Sequence, residues 1–265
     1  MVERITPDKK EVNMKPLKTD LSVYSKFKFE RPPVGVNYFY HKPEGIEKLN
    51  KQLGLCEMVK EAQQRGTPFY ITKEEENCVG RTFLGMMGDA AHRSDGGQLG
   101  VKLQLFQEGR TNLRLRTFIP IMPIGTVNYV VFSPIDKLVF EPDLLIFLAT
   151  PSQAEILLRA MTYSTGEIYE SRATLVGNCS SLYVYPYLSG KVNYIVTGLS
   201  YGMKGRHVFP EGWLLISVPY QWIPTITQNL KEMKWVPPGY TMGREEFIAW
   251  DAKITKDIFL ESQNP

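Results

Sequence analysis

The chain has 265 residues, of which 43% are hydrophobic and 22% charged, so it can bury a sizeable core like an average globular protein. Its formal net charge is only +3, and the absence of a lysine- and arginine-rich run argues against a nucleic-acid partner. The most apolar stretch, residues 118–135, is interrupted by Pro120, Pro123, Gly125, Asn128 and Pro134. A membrane-spanning helix would not carry such residues so densely, so we expect no membrane span.

The N-terminal residues and the cysteine content predict the compartment. Residues 1–20 alternate charges with prolines and carry neither the apolar segment nor the cleavage site of a signal peptide. The three cysteines, an odd number, argue against a disulfide framework. We therefore expect a cytoplasmic protein in a reducing compartment.

The first predicted elements are a strand, a helix and another strand. Residues 34–40 are rich in β-branched and aromatic residues and follow prolines, which predicts a strand. Between Gly45 and Gly66, apolar residues recur at three- and four-residue steps, which predicts a helix ending at Gly66. These residues are Ile46, Leu49, Leu53, Cys56 and Val59. Residues 67–72 return to strand character, and residues 127–133 predict a further strand.

The same order of elements recurs in the second part of the chain. Residues 143–149 predict a strand, Ser152 is a candidate cap for a helix running to about Ser164, and a short strand is expected around 168–169. The pair Asn178-Cys179 corresponds to the pair Asn77-Cys78. These two pairs are separated by nearly the same number of residues as Gly66 and Gly166. A final strand is expected at 213–217. Chance similarity is common among α/β proteins, but the steady offset favours an internal duplication.

The predicted fold class is therefore α/β (α+β), with two similar halves, mixed sheets and flanking helices. The boundaries are an N-terminal arm at 1–29, a first half at 30–138, a second half at 139–222 and a C-terminal helical segment at 223–265. A cleft between the halves is the expected ligand site. In the last segment, an apolar stripe predicts a helix that packs within the chain or across a homo-oligomer interface. The stripe is Phe247, Trp250, Ile254 and Ile258.

Several short motifs resemble one known family. They are PPVGV at 32–36, CEMVK at 56–60, GTPFY at 66–70, CVG at 78–80, STGE at 164–167, GNC at 177–179 and PYLSG at 186–190. Over residues 30–225 the chain resembles the domain of unknown function 169 family, whose members occur largely in archaea and anaerobic bacteria. The resemblance implies a place in anaerobic metabolism. It also implies that all three cysteines occupy positions where the family tends to have cysteine. Family members often carry a further cysteine where this chain reads LSYGMKGR at 199–206, so a four-cysteine site would lack one ligand here.

The cysteines are the first candidates for chemistry. Cys56, Cys78 and Cys179 could supply three thiolates to an iron–sulfur cluster or another metal, completed by His92 or water. The loop around His92 could also close over a haem or metal. The spacing of the three cysteines in the sequence matches no metal motif of the C-x₂-C type. The alternatives are buried structural cysteines or a single reactive thiol.

Charged residues offer a second kind of site. Arg81, Arg110 and Arg206 each follow a glycine, and a guanidinium group beside a close-approaching backbone can grip an anionic small molecule. The alternative is three solvated turn residues. The acidic run at 74–76 is expected on a solvated face. Two functions stay open: a protein that binds a cofactor or small anion in the cleft, and a non-catalytic binding or assembly protein with structural cysteines.

Overall fold

One mixed β-sheet organises the molecule, and the computed structural model describes residues 14–88 and 95–262. Its seven strands lie in the order β2-β3-β4-β1-β5-β7-β6. Strands β2 and β3 pair parallel and the other neighbours antiparallel. The strands are β1 (Val34–Phe39), β2 (Glu47–Lys48), β3 (Phe69–Ile71), β4 (Tyr129–Pro134), β5 (Leu144–Ala149), β6 (Asn193–Val196) and β7 (Leu214–Pro219). The predicted α/β class with mixed pairing and flanking helices is confirmed.

Helices flank this sheet on both sides. In chain order they are α1 (Leu55–Arg65), α2 (Gly80–Phe83), α3 (Gln98–Lys102), α4 (Gly109–Arg116), α5 (Pro151–Thr162), α6 (Asn178–Ser189), α7 (Tyr201–Gly205), α8 (Ile223–Glu232) and α9 (Arg244–Ser262). Short 3₁₀ helices occur at Ser22–Phe27, Ile135–Lys137, Tyr220–Trp222 and Pro238–Thr241.

The two faces of the sheet carry separate cores. Because side chains alternate along a strand, Leu144, Ile146 and Leu148 of β5 pack on one face with α1, α2 and α6. Leu145 and Phe147 pack on the other face with α5, α8 and the 3₁₀ helix Ser22–Phe27. We call the first the α6 face and the second the α5 face. Residues 22–29, assigned to the N-terminal arm in the sequence, contribute to the core of the α5 face.

Helix boundaries differ from the sequence prediction where caps compete with apolar periodicity. The helix predicted from Gly45 begins at Leu55, because Glu47 and Lys48 pair with β3 instead. At its start, the Gly54 N–H donates to Glu57 Oε2 at 2.7 Å, as in a capping box. Helix α5 is capped by Thr150 rather than Ser152. Residues 168–169 form no strand.

Internal duplication is not confirmed by this fold. Strands of both predicted halves share one sheet, with β1 hydrogen-bonded to β5. The helices that the duplication would equate, α1 and α5, pack on opposite faces.

The C-terminal helix α9 lies largely in solvent. The stripe predicted to pack is largely open at Phe247, Ile254 and Ile258, which are each at least 40% exposed. Its role in an oligomer stays a prediction. Across residues 14–88 and 95–262, the helices are too short or too polar to cross a membrane.

A candidate ligand cavity beside helix α6

A cavity of about 820 Å³ opens on the α6 face of the molecule, within the size range of small-molecule sites. Its walls come from the starts of α1 and α6, from α2 and α7, and from the segment 99–117. Most of its lining is apolar. The apolar side chains are Leu55, Val79, Phe83, Leu99, Leu103, Leu105, Leu113, Ile119, Ile121, Val176 and Met203. Such a lining suits an organic molecule rather than a bare ion.

The three cysteines and one arginine come together at this cavity. Cys56 on α1, Cys78 before α2, Cys179 in the first turn of α6 and Arg206 after α7 all line it. Both predicted halves thus contribute to one site. Arg81 and Arg110 lie outside its lining. Arg81 reaches the carbonyl of Lys73 at 3.5 Å, and the Arg110 side chain is 85% exposed and pairs with Glu108.

The cysteines differ in environment. Burial raises the pKa of Cys56 to about 12, with a further contribution from the Glu57 carboxylate. Burial also raises the pKa of Cys179 far above the ordinary thiol value. Both pack against the core of the α6 face, as expected for structural cysteines. Cys78 is exposed, so it is the thiol that a reagent or ligand can reach.

The geometry gives the predicted metal centre no ligand set within the described residues. No three histidine, cysteine, aspartate or glutamate side chains there come together as a metal site. His92, the proposed fourth ligand, lies outside the described residues. Among the described residues, the metal prediction is therefore supported only by the fact that the three cysteines line the same cavity.

Glu76 connects the cysteine-bearing segments. Its side chain is fully buried. Oε1 accepts the Leu55 N–H at 3.0 Å, and Oε2 accepts the N–H groups of Cys78 at 3.0 Å and Arg81 at 3.1 Å. Burial raises the pKa of Glu76, although these three N–H groups oppose the effect. The carboxylate fixes the start of α1 against the start of α2.

The prediction that the acidic run 74–76 lies on a solvated face was wrong for two of its members. Glu76 is buried as described. Glu75 is only 8% exposed, accepts the Thr72 N–H and pairs with Lys48 at 2.9 Å. Local main-chain donors and a lysine compensate the burial of these charges. A run of acidic residues in the sequence does not show whether such donors are present.

Asn178, a lining residue of the cavity, carries a buried side-chain donor. It is the first residue of α6 and only 1% exposed. Its Oδ1 accepts the Thr174 main-chain N–H at 2.7 Å and the Thr174 hydroxyl at 3.3 Å. Its Nδ2 has no hydrogen-bond partner among residues 14–88 and 95–262. A buried amide donor without a partner is unfavourable by about 1–3 kcal/mol, so it marks a place where an acceptor would stabilise the protein.

The segment 95–117 contributes a further part of the cavity wall through residues 99–117. Arg116 holds Asp95 through two bonds of 2.8 and 3.2 Å. Although burial opposes it, these bonds and the N–H groups of Gly97 and Leu99 lower the pKa of Asp95 to about 2. Gly97 requires glycine, because its φ is +78° and a Cβ would lie 2.0 Å from the Gly109 carbonyl oxygen. The short helices α3 and α4 are thereby locked together.

Arg206 closes the remaining side. Its Nη1 donates to Glu57 Oε2 at 2.6 Å, and its side chain is 34% exposed. Since Glu57 also caps α1, this arginine ties the end of α7 to the start of α1.

The comparisons with known proteins agree with the resemblance seen in the sequence motifs. The family described as domain of unknown function 169 (uncharacterised ArCR) matches residues 22–229. The chain belongs to this family. It is also similar to the uncharacterized protein MJ0308 of Methanocaldococcus jannaschii, at 23% identity over 195 residues, covering 73% of this chain and 83% of that protein. No solved structure matches.

The matched range contains the sheet and every residue that lines the cavity, whereas α9 follows it. The cavity is therefore part of the domain 169 fold in this chain. Sequence reasoning missed two of its contributors, the leucine-bearing wall and Asn178. The four leucines of 99–113 were a usable signal, because they recur in a segment that is otherwise rich in polar residues.

Proposed function

We propose that this domain 169 protein binds a mainly apolar small organic molecule in the cavity beside α6. The observation that carries the proposal is the cavity itself, about 820 Å³ with a mostly apolar lining. Exposed leucines on one wall support it, because they leave an apolar surface that a ligand would cover. The ligand is a cofactor or a substrate of organic character.

This proposal develops the cleft-ligand hypothesis and sets the assembly hypothesis second. Cys56 and Cys179 serve as packing residues in it, and Cys78 stands at the ligand surface. The three free thiols support a reducing, cytoplasmic compartment. A metal or iron–sulfur centre and a place in anaerobic metabolism stay predictions.

Binding of the neutral fluorophore N-phenyl-1-naphthylamine tests the proposal. Its emission rises in an apolar site, so titration of the intact protein should give saturable binding with a Kd on the order of 10 μM. Val176 lines the cavity and is half-buried. Val176→Trp should fill space there and weaken binding at least about tenfold.

The matched control is Leu175→Trp, which adds the same ring one residue earlier. Leu175 is 40% exposed and outside the cavity lining, so this variant should bind like the wild type. Circular dichroism and thermal unfolding would show that both variants fold. Absence of saturable binding to the wild type, or equal binding by folded Val176→Trp, would contradict the proposal.

A further inference from the structure

Asn178, whose side-chain amide lacks a partner within residues 14–88 and 95–262, is both a lining residue of the cavity and the first residue of α6. The assignment of the Asn178 side-chain atoms is set by its neighbour, because the Thr174 main-chain N–H can only donate to an oxygen. Nδ2 is therefore the atom that finds no partner among residues 14–88 and 95–262. Gly177, Asn178 and Cys179 all line the cavity.

Helix α6 adds a favourable potential at this point. It spans twelve residues, and no side chain from the described part of the chain caps its N-terminus, where Gly177 has φ +75°. The first N–H groups of a helix lack intrahelical acceptors and carry a partial positive charge that favours anions. The helix terminus and the buried amide donor of its first residue therefore lie together.

The charged groups that line the cavity have partners within the protein. Arg116 and Arg206 line it and are bonded to Asp95 and Glu57, respectively. Glu76 also lines it, with both oxygens held by main-chain N–H groups. Cys179 stays neutral because burial raises its pKa.

We propose that the ligand carries a carboxylate whose oxygen accepts the Asn178 Nδ2–H at the start of α6, while its apolar body lies against the leucine-bearing wall. This inference rests on the proposed function and names the chemical class of its ligand, an amphipathic carboxylic acid. A carboxylate suits the place better than a phosphate dianion, because one amide and one helix terminus in an apolar cavity offer few donors.

A pair of probes with the same body separates the head group from the cavity. The fluorescent 1-pyrenebutyric acid and 1-pyrenebutanol differ only in their carboxylate and hydroxyl ends. Titrated against the intact protein at pH 7, the acid should bind at least about tenfold more tightly, since a charge-assisted hydrogen bond is gained. Asn178→Asp should abolish this preference, because the carboxylate of the acid loses its donor and meets a like charge.

Asn178→Asp is chosen because it keeps the oxygen that accepts from Thr174 while replacing the donor by a negative charge. Asn128→Asp is the matched control. Asn128 is exposed and donates to the Tyr40 carbonyl, outside the cavity lining. It adds the same charge and should leave the preference intact.

The outcomes are distinguishable. If neither probe binds the wild type, the proposed function fails together with this inference. If both bind equally well, the carboxylate site fails while the cavity function stands. Equal loss of both probes in folded Asn178→Asp would assign Asn178 to the fold rather than to the head group, and overturn the inference. Should that variant not fold, the wild-type ratio of the two Kd values decides alone.

Discussion

The two faces of the sheet differ in how completely the space between the sheet and its helices is filled. On the α5 face, aromatic rings fill the space between sheet and helices: Phe27 lies 4.4 Å from Trp235 and Phe29 lies 5.8 Å from Phe147, centroid to centroid. On the α6 face, the same strands support a core that stops short of the segment 95–117 and leaves a cavity. Alternate residues of one strand thus serve stability on one side and an open site on the other.

The largest expected difference between the faces concerns phenylalanine truncation. Phe147 is 1% exposed in the α5 core, so Phe147→Ala should lower the free energy of unfolding by about 3–5 kcal/mol through lost burial and a new void. Phe83 already borders the cavity, so Phe83→Ala should cost about half as much. Urea denaturation of both variants measures the difference, and equal losses would contradict unequal closure.

Glu76 tests how the cavity wall is held. Glu76→Gln keeps the shape but replaces one accepting oxygen by an amide donor, so at least one of three main-chain N–H groups loses its partner. We expect a loss of about 2–3 kcal/mol. Glu74→Gln, an exposed neighbour, is the control and should change stability by less than about 0.5 kcal/mol. If Glu76→Gln left the stability unchanged, this would contradict the role of Glu76 as the link between α1 and α2.

Asp143 lies where the central strands β1 and β5 meet, and it predicts a pH effect. Burial raises its pKa to about 6, against the opposing hydrogen bond from the Tyr38 N–H at 2.7 Å. The folded state then binds the proton of Asp143 more tightly than the unfolded state does. The contribution of Asp143 to the free energy of unfolding therefore falls as the pH rises from about 4 to 6.

Asp143→Asn retains an acceptor for Tyr38 and removes this titration. The variant should gain up to about 2 kcal/mol relative to the wild type between pH 4 and pH 7. Thermal unfolding of both proteins at each pH gives the difference, which cancels the titration of other carboxylates. A difference that is independent of pH would contradict the raised pKa.

The sequence was sufficient where a local pattern decides the structure. The strands at 34–39 and 144–149 follow from β-branched and apolar runs, and the end of α1 from Gly66. The start of α1 was misplaced because the pairing of Glu47 with Phe69 is a tertiary contact. Apolar periodicity alone does not show which residues will find a partner strand.

The site was predicted in part for the same reason. Equivalent Asn-Cys motifs drew attention to Cys78 and Cys179, and both do line one cavity with Arg206. The faces on which α1 and α5 pack depend on chain crossings that leave no mark in composition. The unpaired Nδ2 of Asn178 depends on how Thr174 satisfies its oxygen, which only three-dimensional contacts reveal.

Cysteine reactivity gives the smallest expected change in stability and the most local view of the cavity. Cys78 is exposed, while burial raises the pKa of Cys56 and Cys179. Iodoacetamide at pH 7.5 should therefore modify Cys78 first, with the other two at least about a hundredfold slower until the protein unfolds. Peptide mass spectrometry assigns each site. Cys78→Ser should change stability by less than about 0.5 kcal/mol.

The same reaction reports on occupancy of the cavity. Because Cys78 lines it, saturating 1-pyrenebutanol should slow alkylation of Cys78 at least about threefold, whereas a ligand bound elsewhere would leave the rate unchanged. Equal reactivity of all three cysteines in the folded protein would mean that the reagent reaches Cys56 and Cys179, in the wall around α1 and α6, as easily as it reaches Cys78. The α6 face would then differ from the α5 face in rigidity as well as in packing.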